Sequence, residues 1–247
     1  MEKKYVLVTG ASSGIGAEIA KTLSSTCNVI LNGRDEQRLK ETMSACHGGG
    51  HLIWKYDVGN VSEIESALRL FMEENDISIS YFVHSAGYMK TLPIKAISSS
   101  ILTESFNTNV IAPALITKVL ANKKTNKGAL ESIVFISSNI SNFGAKAFAA
   151  YSASKSGLDG LMHSLAIELA PKVRVNSVLP GGVRTRMTEH MYADDELIQR
   201  MAASYPLGLG TTKDIADTVE FLLSEKSRWI TGQQITVDGG RTINITG

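Results

Sequence analysis

Tyr5-Val6-Leu7-Val8 is an unbroken apolar run, short and rich in aromatic and β-branched residues, which reads as a buried strand. It passes directly into Thr9-Gly10-Ala11-Ser12-Ser13-Gly14-Ile15-Gly16, and Ala17 to Leu23 then has the composition of a helix. Strand, glycine-rich turn and helix in this order present backbone N–H groups and a helix N-terminus to an anion such as a phosphate. The glycines permit a tight turn and a close approach to that anion. A strand apolar on both faces must be covered on both, which points to a parallel sheet between helical layers.

The remaining sequence keeps this alternation. Val29 to Asn32 reads as the second strand, His51 to Tyr56 as the third, Ile79 to His84 as the fourth and Ser132 to Ile136 as the fifth. Val173 to Leu179 and Gln234 to Val237 follow as the sixth and the last. Helical patterns separate them, at about 61–75, 98–121, 150–169 and 214–223. The helix over 98–121 contains Pro113, which kinks helices, and Asn107 and Asn109, which helix interiors disfavour. Residues 183–210 form a long polar, Met-rich connection with a helical stretch around 194–203, the size and character of a lid. No linker, repeat or low-complexity segment interrupts the order. The expected fold is α/β: one Rossmann-type doubly wound domain over 1–247, with about seven parallel strands and helices on both faces.

In such a fold the end of the second strand reads the adenosine ribose. An acidic residue there binds a 2′-hydroxyl, whereas Arg accommodates a 2′-phosphate. This strand ends Asn32-Gly33-Arg34, so NADP(H) is expected over NAD(H). Asp35 is better read as the N-cap of the next helix. Asp57, followed by Val58 after the third strand, accepts from an adenine amino group or caps the helix that follows. Small residues at Ser85-Ala86-Gly87 let backbone lie against a flat ligand.

Composition removes several functional classes. With 247 residues, 43% of them hydrophobic, the chain can bury a sizeable core. A net charge of +1 argues against a polyanionic partner, and no basic block or RNA-binding aromatic signature appears. No apolar run approaches the roughly 18 residues that span a bilayer. The strand begins so close to Met1 that no signal peptide is expected. Cys27 and Cys46 lie in no metal or redox spacing and read as free thiols in a reducing, cytoplasmic setting. His47 and His51 flank three glycines without a third ligand, so no metal site is assigned and a solvated turn is expected.

The chemistry concentrates between Ser137 and Lys155. If a helix begins near Ala150, Tyr151 and Lys155 project from one face, phenol beside ammonium. A cation in a dry cleft favours the phenolate, and poising a Tyr of pKa about 10 near neutrality takes roughly 4 kcal/mol. Taken alone, Tyr-x-x-x-Lys is common and fits an ordinary amphipathic helix with a solvated Lys.

Together these stretches resemble the short-chain dehydrogenases/reductases, over essentially the whole chain. Thr9-Gly10-x3-Gly14-x-Gly16 is similar to the family's cofactor turn, and Asp238-Gly239-Gly240 to its C-terminal signature. The resemblance implies catalytic roles for Asn109, Ser138, Tyr151 and Lys155. Tyr151 would protonate a carbonyl oxygen as hydride arrives, and Ser138 would hydrogen-bond that oxygen. Lys155 would lower the Tyr151 pKa and bond the nicotinamide ribose, and Asn109 would hold a relay water. It implies a cofactor cradle of Gly10, Ser12, Ser13, Gly14, Ile15, Gly16, Arg34, Asp57, Val58, Ala86, Gly87, Tyr151, Lys155, Pro180, Gly181, Val183 and Thr185. Thr185 and the backbone at Val183 would fix the carboxamide.

The chain departs from the family pattern in three places. His84-Ser85 stands where Asn-Asn is common, Ser13 where NADP enzymes often carry a base, and Pro206 to Gly210 is one residue short and lacks a frequent Arg. Length and layout look most like the 3-oxoacyl-[acyl-carrier-protein] reductases, which implies a small or carrier-bound carbonyl substrate and a homotetramer, with neither nucleic acid nor membrane as partner. Arg184 and Arg186 flank Thr185 and are candidates for an anionic substrate or the cofactor phosphates. Rival readings are a sugar, steroid or other small-alcohol dehydrogenase, and a catalytically silent NADP-binding regulator.

Overall fold

The computed structural model describes residues 3–185, 199 and 202–244. Seven strands form one parallel sheet in the order β3-β2-β1-β4-β5-β6-β7. They are β1 (Tyr5–Thr9), β2 (Asn28–Gly33), β3 (Leu52–Lys55), β4 (Ile79–His84), β5 (Ser132–Ile136), β6 (Arg174–Pro180) and β7 (Gln234–Val237). The principal helices are α1 (Gly14–Leu23), α2 (Glu36–Ser44), α3 (Ile64–Glu74), α4 (Ser99–Phe106), α5 (Ala112–Ala121), α6 (Lys123–Asn126), α7 (Ala149–Glu168) and α8 (Thr212–Leu223).

Successive strand residues point to opposite faces, so each apolar strand feeds two cores. Leu7, Ile30, Phe82, Ile133 and Val175 pack with α3, α5 and α7 on one face. Val6, Val8, Val29, Leu31, Val83, Val134 and Val178 pack with α1 and α8 on the other. All five residues of β5 are buried, which explains why its sequence shows no polar alternation. Each fully buried Leu, Ile, Val or Phe contributes roughly 1.5–3 kcal/mol, so the sheet rests on these two layers.

The chain winds outward from β1 in one direction through β2 and β3, then crosses back to place β4 on β1's other side. A crevice therefore opens at the C-terminal ends of β1 and β4, where the glycine turn meets Ser85-Ala86-Gly87. Asp35 caps α2 as expected, its carboxylate accepting from Arg38 N at 3.2 Å.

The helix expected over 98–121 runs without a gap but widens in its middle. α4 passes at Phe106 into a π-helical turn over Asn107–Ile111, and α5 continues from it with Pro113 as its second residue. The cause lies in Asn109, whose side chain bonds outside the helix to Tyr88 and Ser154. α3 begins at Ile64 with Glu63 at its N-cap position, so Asp57 does not cap it. Nor is the turn around His47 merely solvated: His51 Nδ1 accepts from Val29 N at 3.0 Å.

A buried Asn that the sequence does not advertise secures β4. Asn126 is fully buried; its Oδ1 accepts from Ile79 N at 2.7 Å, and its Nδ2 donates to Ile79 O and Leu120 O at 2.8 and 2.9 Å. Asn126→Ala would leave these backbone groups unpaired in the core. We expect a loss of about 2–4 kcal/mol in urea unfolding; a loss below about 1 kcal/mol would show that the bonds are replaced.

Candidate active site

The crevice is a cleft of about 830 Å³. At one end lies the turn after β1. Gly10 has φ +70°, and a Cβ there would sit 2.7 Å from Ala86 N; a Cβ on Gly16 would sit 2.3 Å from Gly10 O. Neither place admits a side chain. Ser13, the N-cap residue of α1, makes no side-chain cap, so the N–H groups of the first helical turn face the cleft unsatisfied by it. This combination of uncapped helix, close backbone and open groove fits the phosphates of a dinucleotide.

Arg34 marks the far rim. It is 78% exposed, and its Nη1 lies 3.6 Å from Asp57 Oδ2, while Asp57 Oδ1 accepts from Gly59 N at 2.9 Å. Asn32, the polar residue ending the apolar part of β2, turns its amide to Trp54 O and Tyr56 O and thereby holds β3. No carboxylate takes its place. Arg38, in the first turn of α2, also lines the cleft. Sequence reasoning passed over it; its place in the first turn after the Asp35 cap was the available signal.

At the other end stand Ser138, Tyr151 and Lys155. Ser138 leaves β5 and caps a short turn at Asn139–Ser141, its Oγ accepting from Ile140 N at 3.3 Å. Tyr151 and Lys155 lie on successive turns at the start of α7, with Lys155 Nζ 5.7 Å from the Tyr151 ring centre. Lys155 is buried and donates to Ile136 O at 2.8 Å.

Burial dominates the electrostatics here. It pushes the Tyr151 phenol up to about 12, with the Ser138 hydroxyl pulling it back down. It pulls the Lys155 ammonium down to about 8, against the field of Asp159, which raises it. The expected fall of the Tyr151 pKa beside Lys155 therefore does not occur in the protein alone. Desolvating a phenolate outweighs a cation that is itself desolvated. The phenol keeps its proton.

Asn109, expected to be catalytic, lies outside the cleft lining. It is fully buried behind the wall, where Oδ1 accepts from Tyr88 N at 2.8 Å. Its Nδ2 donates to Tyr88 O at 3.0 Å and Ser154 Oγ at 2.8 Å. Both amide hydrogens are committed, so its side chain ties the loop after β4 to α7 and has no donor left for a relay water.

Ser12, Gly14, Ile15, Val58, Gly87, Pro180, Gly181, Val183 and Thr185 all line the cleft, as expected. Val183 pairs with Gly210, which draws the 205–210 segment over the site. Tyr205, unremarked in the sequence, accepts from Gly182 N at 2.8 Å through its hydroxyl. Arg184 is exposed. Arg186 and most of the helix expected around 194–203 lie outside the described residues.

The departure at His84 is structural. The ring is fully buried. Nε2 lies 3.0 Å from Thr108 O, which can only accept, so Nε2 carries the proton and Nδ1 accepts from Thr9 Oγ1 at 2.9 Å. Thr9 Oγ1 then receives Ser85 N and Ala86 N, both at 3.2 Å. Burial, followed by the charge of Lys155, lowers the His84 pKa to about 3. The folded imidazole stays neutral where the unfolded one, near 6.5, is charged. Below pH 6.5 the unfolded state binds the extra proton, so stability is lost as pH falls towards 3. As pH falls below about 5.5, His84 should impose a slope approaching about 1.4 kcal/mol per unit, measured by urea unfolding. His84→Gln should flatten it; an unchanged slope would contradict the neutral, buried ring.

The cleft can be set beside known proteins. Residues 10–242 match the family described as enoyl-(acyl carrier protein) reductase. The human dehydrogenase/reductase SDR family member 4 is 31% identical, covering 97% of this chain and 88% of that protein. The mouse 3-oxoacyl-[acyl-carrier-protein] reductase is also 31% identical, covering 98% of this chain and 99% of that one. The structure of 4-hydroxyisoleucine dehydrogenase complexed with NADH superposes with a TM-score of 0.89 at 28% identity, covering 97% of this chain and 99% of that one. The chain belongs to the short-chain dehydrogenase/reductase family, oxidoreductases that act between CH–OH and C=O.

Proposed function

We propose that the protein is an NADP(H)-dependent oxidoreductase that interconverts a ketone and a secondary alcohol, with Tyr151 as acid and base. The observation that carries this reading is the meeting of Ser138, Tyr151 and Lys155 at one end of a cleft whose other end suits a dinucleotide. When bound, the nicotinamide supplies or takes up the hydride. In the reducing direction Tyr151 holds the proton that the substrate oxygen needs, and its raised pKa keeps that proton in place. Ser138 Oγ donates to the same oxygen and stabilises its developing negative charge. Lys155, still mostly charged at neutral pH, favours the phenolate that remains after transfer.

For the cofactor, Arg34 and Arg38 supply positive charge at the adenosine rim, and the turned-in Asn32 leaves no acid to select a 2′-hydroxyl. The relative solved with NADH stands on the other side. For the substrate, the family description and the mouse relative favour a 3-oxoacyl thioester. The second reading, a small hydroxylated molecule, draws on the 4-hydroxyisoleucine dehydrogenase. Ile167, Trp229 and Ile243, at 82%, 97% and 82% exposure, support self-association, and a homotetramer is the proposed state. Free thiols at Cys27 and Cys46 favour the cytoplasm, and among the described residues no helix is long and apolar enough to cross a membrane.

Two experiments test this. A carbonyl and alcohol panel, begun with acetoacetyl thioesters and read at the nicotinamide absorbance, should reveal turnover that Tyr151→Phe lowers by about 10²–10⁴-fold. NADPH affinity should stay within a few-fold; turnover surviving that substitution would remove Tyr151 from the chemistry. Arg34→Asp should lower the ratio of kcat/KM for NADPH over NADH by at least about 10-fold. An NADH preference in the unaltered protein would overturn the cofactor assignment.

A further inference from the structure

Beneath the catalytic end of the cleft lies a carboxylate that the proposed chemistry does not use. Asp159 sits on α7 one turn beyond Lys155 and is 3% exposed. Its Oδ2 accepts from Ser137 Oγ at 2.9 Å. Among the described residues, its buried Oδ1 has no hydrogen-bond partner. Ser137 Oγ also lies 3.4 Å from Lys155 O, and Ser137 immediately precedes Ser138.

A carboxylate holding one hydrogen bond in the core is costly unless an opposite charge compensates it. Side chains four apart on a helix are about 5–6 Å apart at Cβ, within reach of such compensation. Among the described residues, the surroundings of Lys155 offer little else that is negative. Tyr151 on its own helix is a protonated phenol, His84 on β4 is neutral, and β5 presents the Ile136 carbonyl and the Ser137 and Ser138 hydroxyls. The buried carboxylate facing Lys155 is Asp159.

We infer that Asp159 is a positioning residue, a buried countercharge that keeps Lys155 an ammonium and anchors Ser137 beneath the reacting Ser138. Two consequences follow from one side chain. The Asp159 charge offsets the cost of burying Lys155, and its hydrogen bond fixes the backbone from which Ser138 reaches the cleft. The first depends on charge and the second on shape, so they can be separated. The lysine consequence needs no assumption about catalysis; its kinetic expression rests on the function proposed above.

The experiment follows Lys155 by NMR in the full-length protein carrying ¹³Cε-labelled lysine, with the resonance assigned by its absence in Lys155→Met. Asp159→Asn, close in volume but neutral, should lower the Lys155 midpoint by about one pH unit or more. Ser137→Ala removes the hydrogen bond and keeps the charge, so it should leave the midpoint in place. Asp159→Ser is carried alongside as a second neutral variant, with folding of all three checked by circular dichroism. A midpoint that moves by less than about 0.3 unit in the folded neutral variants would overturn the inference. So would an equal shift in Ser137→Ala, because packing alone would then explain it. The alkaline limb of kcat against pH should move down with the NMR midpoint. If the midpoint moves and the limb does not, the countercharge stands and the proposed part of Lys155 in turnover falls.

Discussion

The structure depends on how closely the end of β1 lies against the end of β4. Gly10 and Ala86 approach so nearly that a single methyl would separate them, and Thr9 takes the Ser85 and Ala86 N–H groups to hold the contact. Only adjacent parallel strands whose following chains turn away in opposite directions leave such a crevice. His84 completes the clamp from below, accepting the Thr9 hydroxyl and donating to Thr108 O at the edge of the π-helical turn. The floor of the cleft and its side wall are thus joined through one neutral imidazole.

Above that floor, desolvation sets the charge states. The same burial raises a phenol, lowers an ammonium and keeps a histidine neutral. Here the cost of desolvating the phenolate decides the matter, and the phenol keeps its proton. Buried groups around it divide the work: Ile136 O accepts a hydrogen bond from Lys155 Nζ and Asn109 secures the surrounding loop. The cleft arrives at an acid that is loaded and a cation held near its titration point.

Much of this was legible from sequence because it rests on local pattern. The runs at 5–8, 79–84 and 132–136 are legible as strands because strands buried on both faces are mostly apolar, with Ser80, His84 and Ser132 the buried polar exceptions. The turn from Gly10 to Gly16 is legible because backbone crowding admits only glycine there. Other features depended on partners distant in sequence. Asn109 looked like a helix interior fault until Tyr88, 21 residues away, took up its amide. Asn126 and Tyr205 belong to no sequence motif; their roles depend on Ile79 and Gly182, 47 and 23 residues away.

The sequence by itself determined the layered fold, the place of the crevice and which side chains gather there, since periodicity, glycine and the four-residue spacing act over short range. Only the tertiary structure decided how those groups are charged and which of them touch the cleft. It widened the helix into a π turn at Asn107, moved Asn109 behind the wall, paired Arg34 with Asp57 and placed a carboxylate beneath Lys155. The reason is physical. Desolvation and long-range hydrogen bonds are properties of the packed neighbourhood, and no window of the chain contains them.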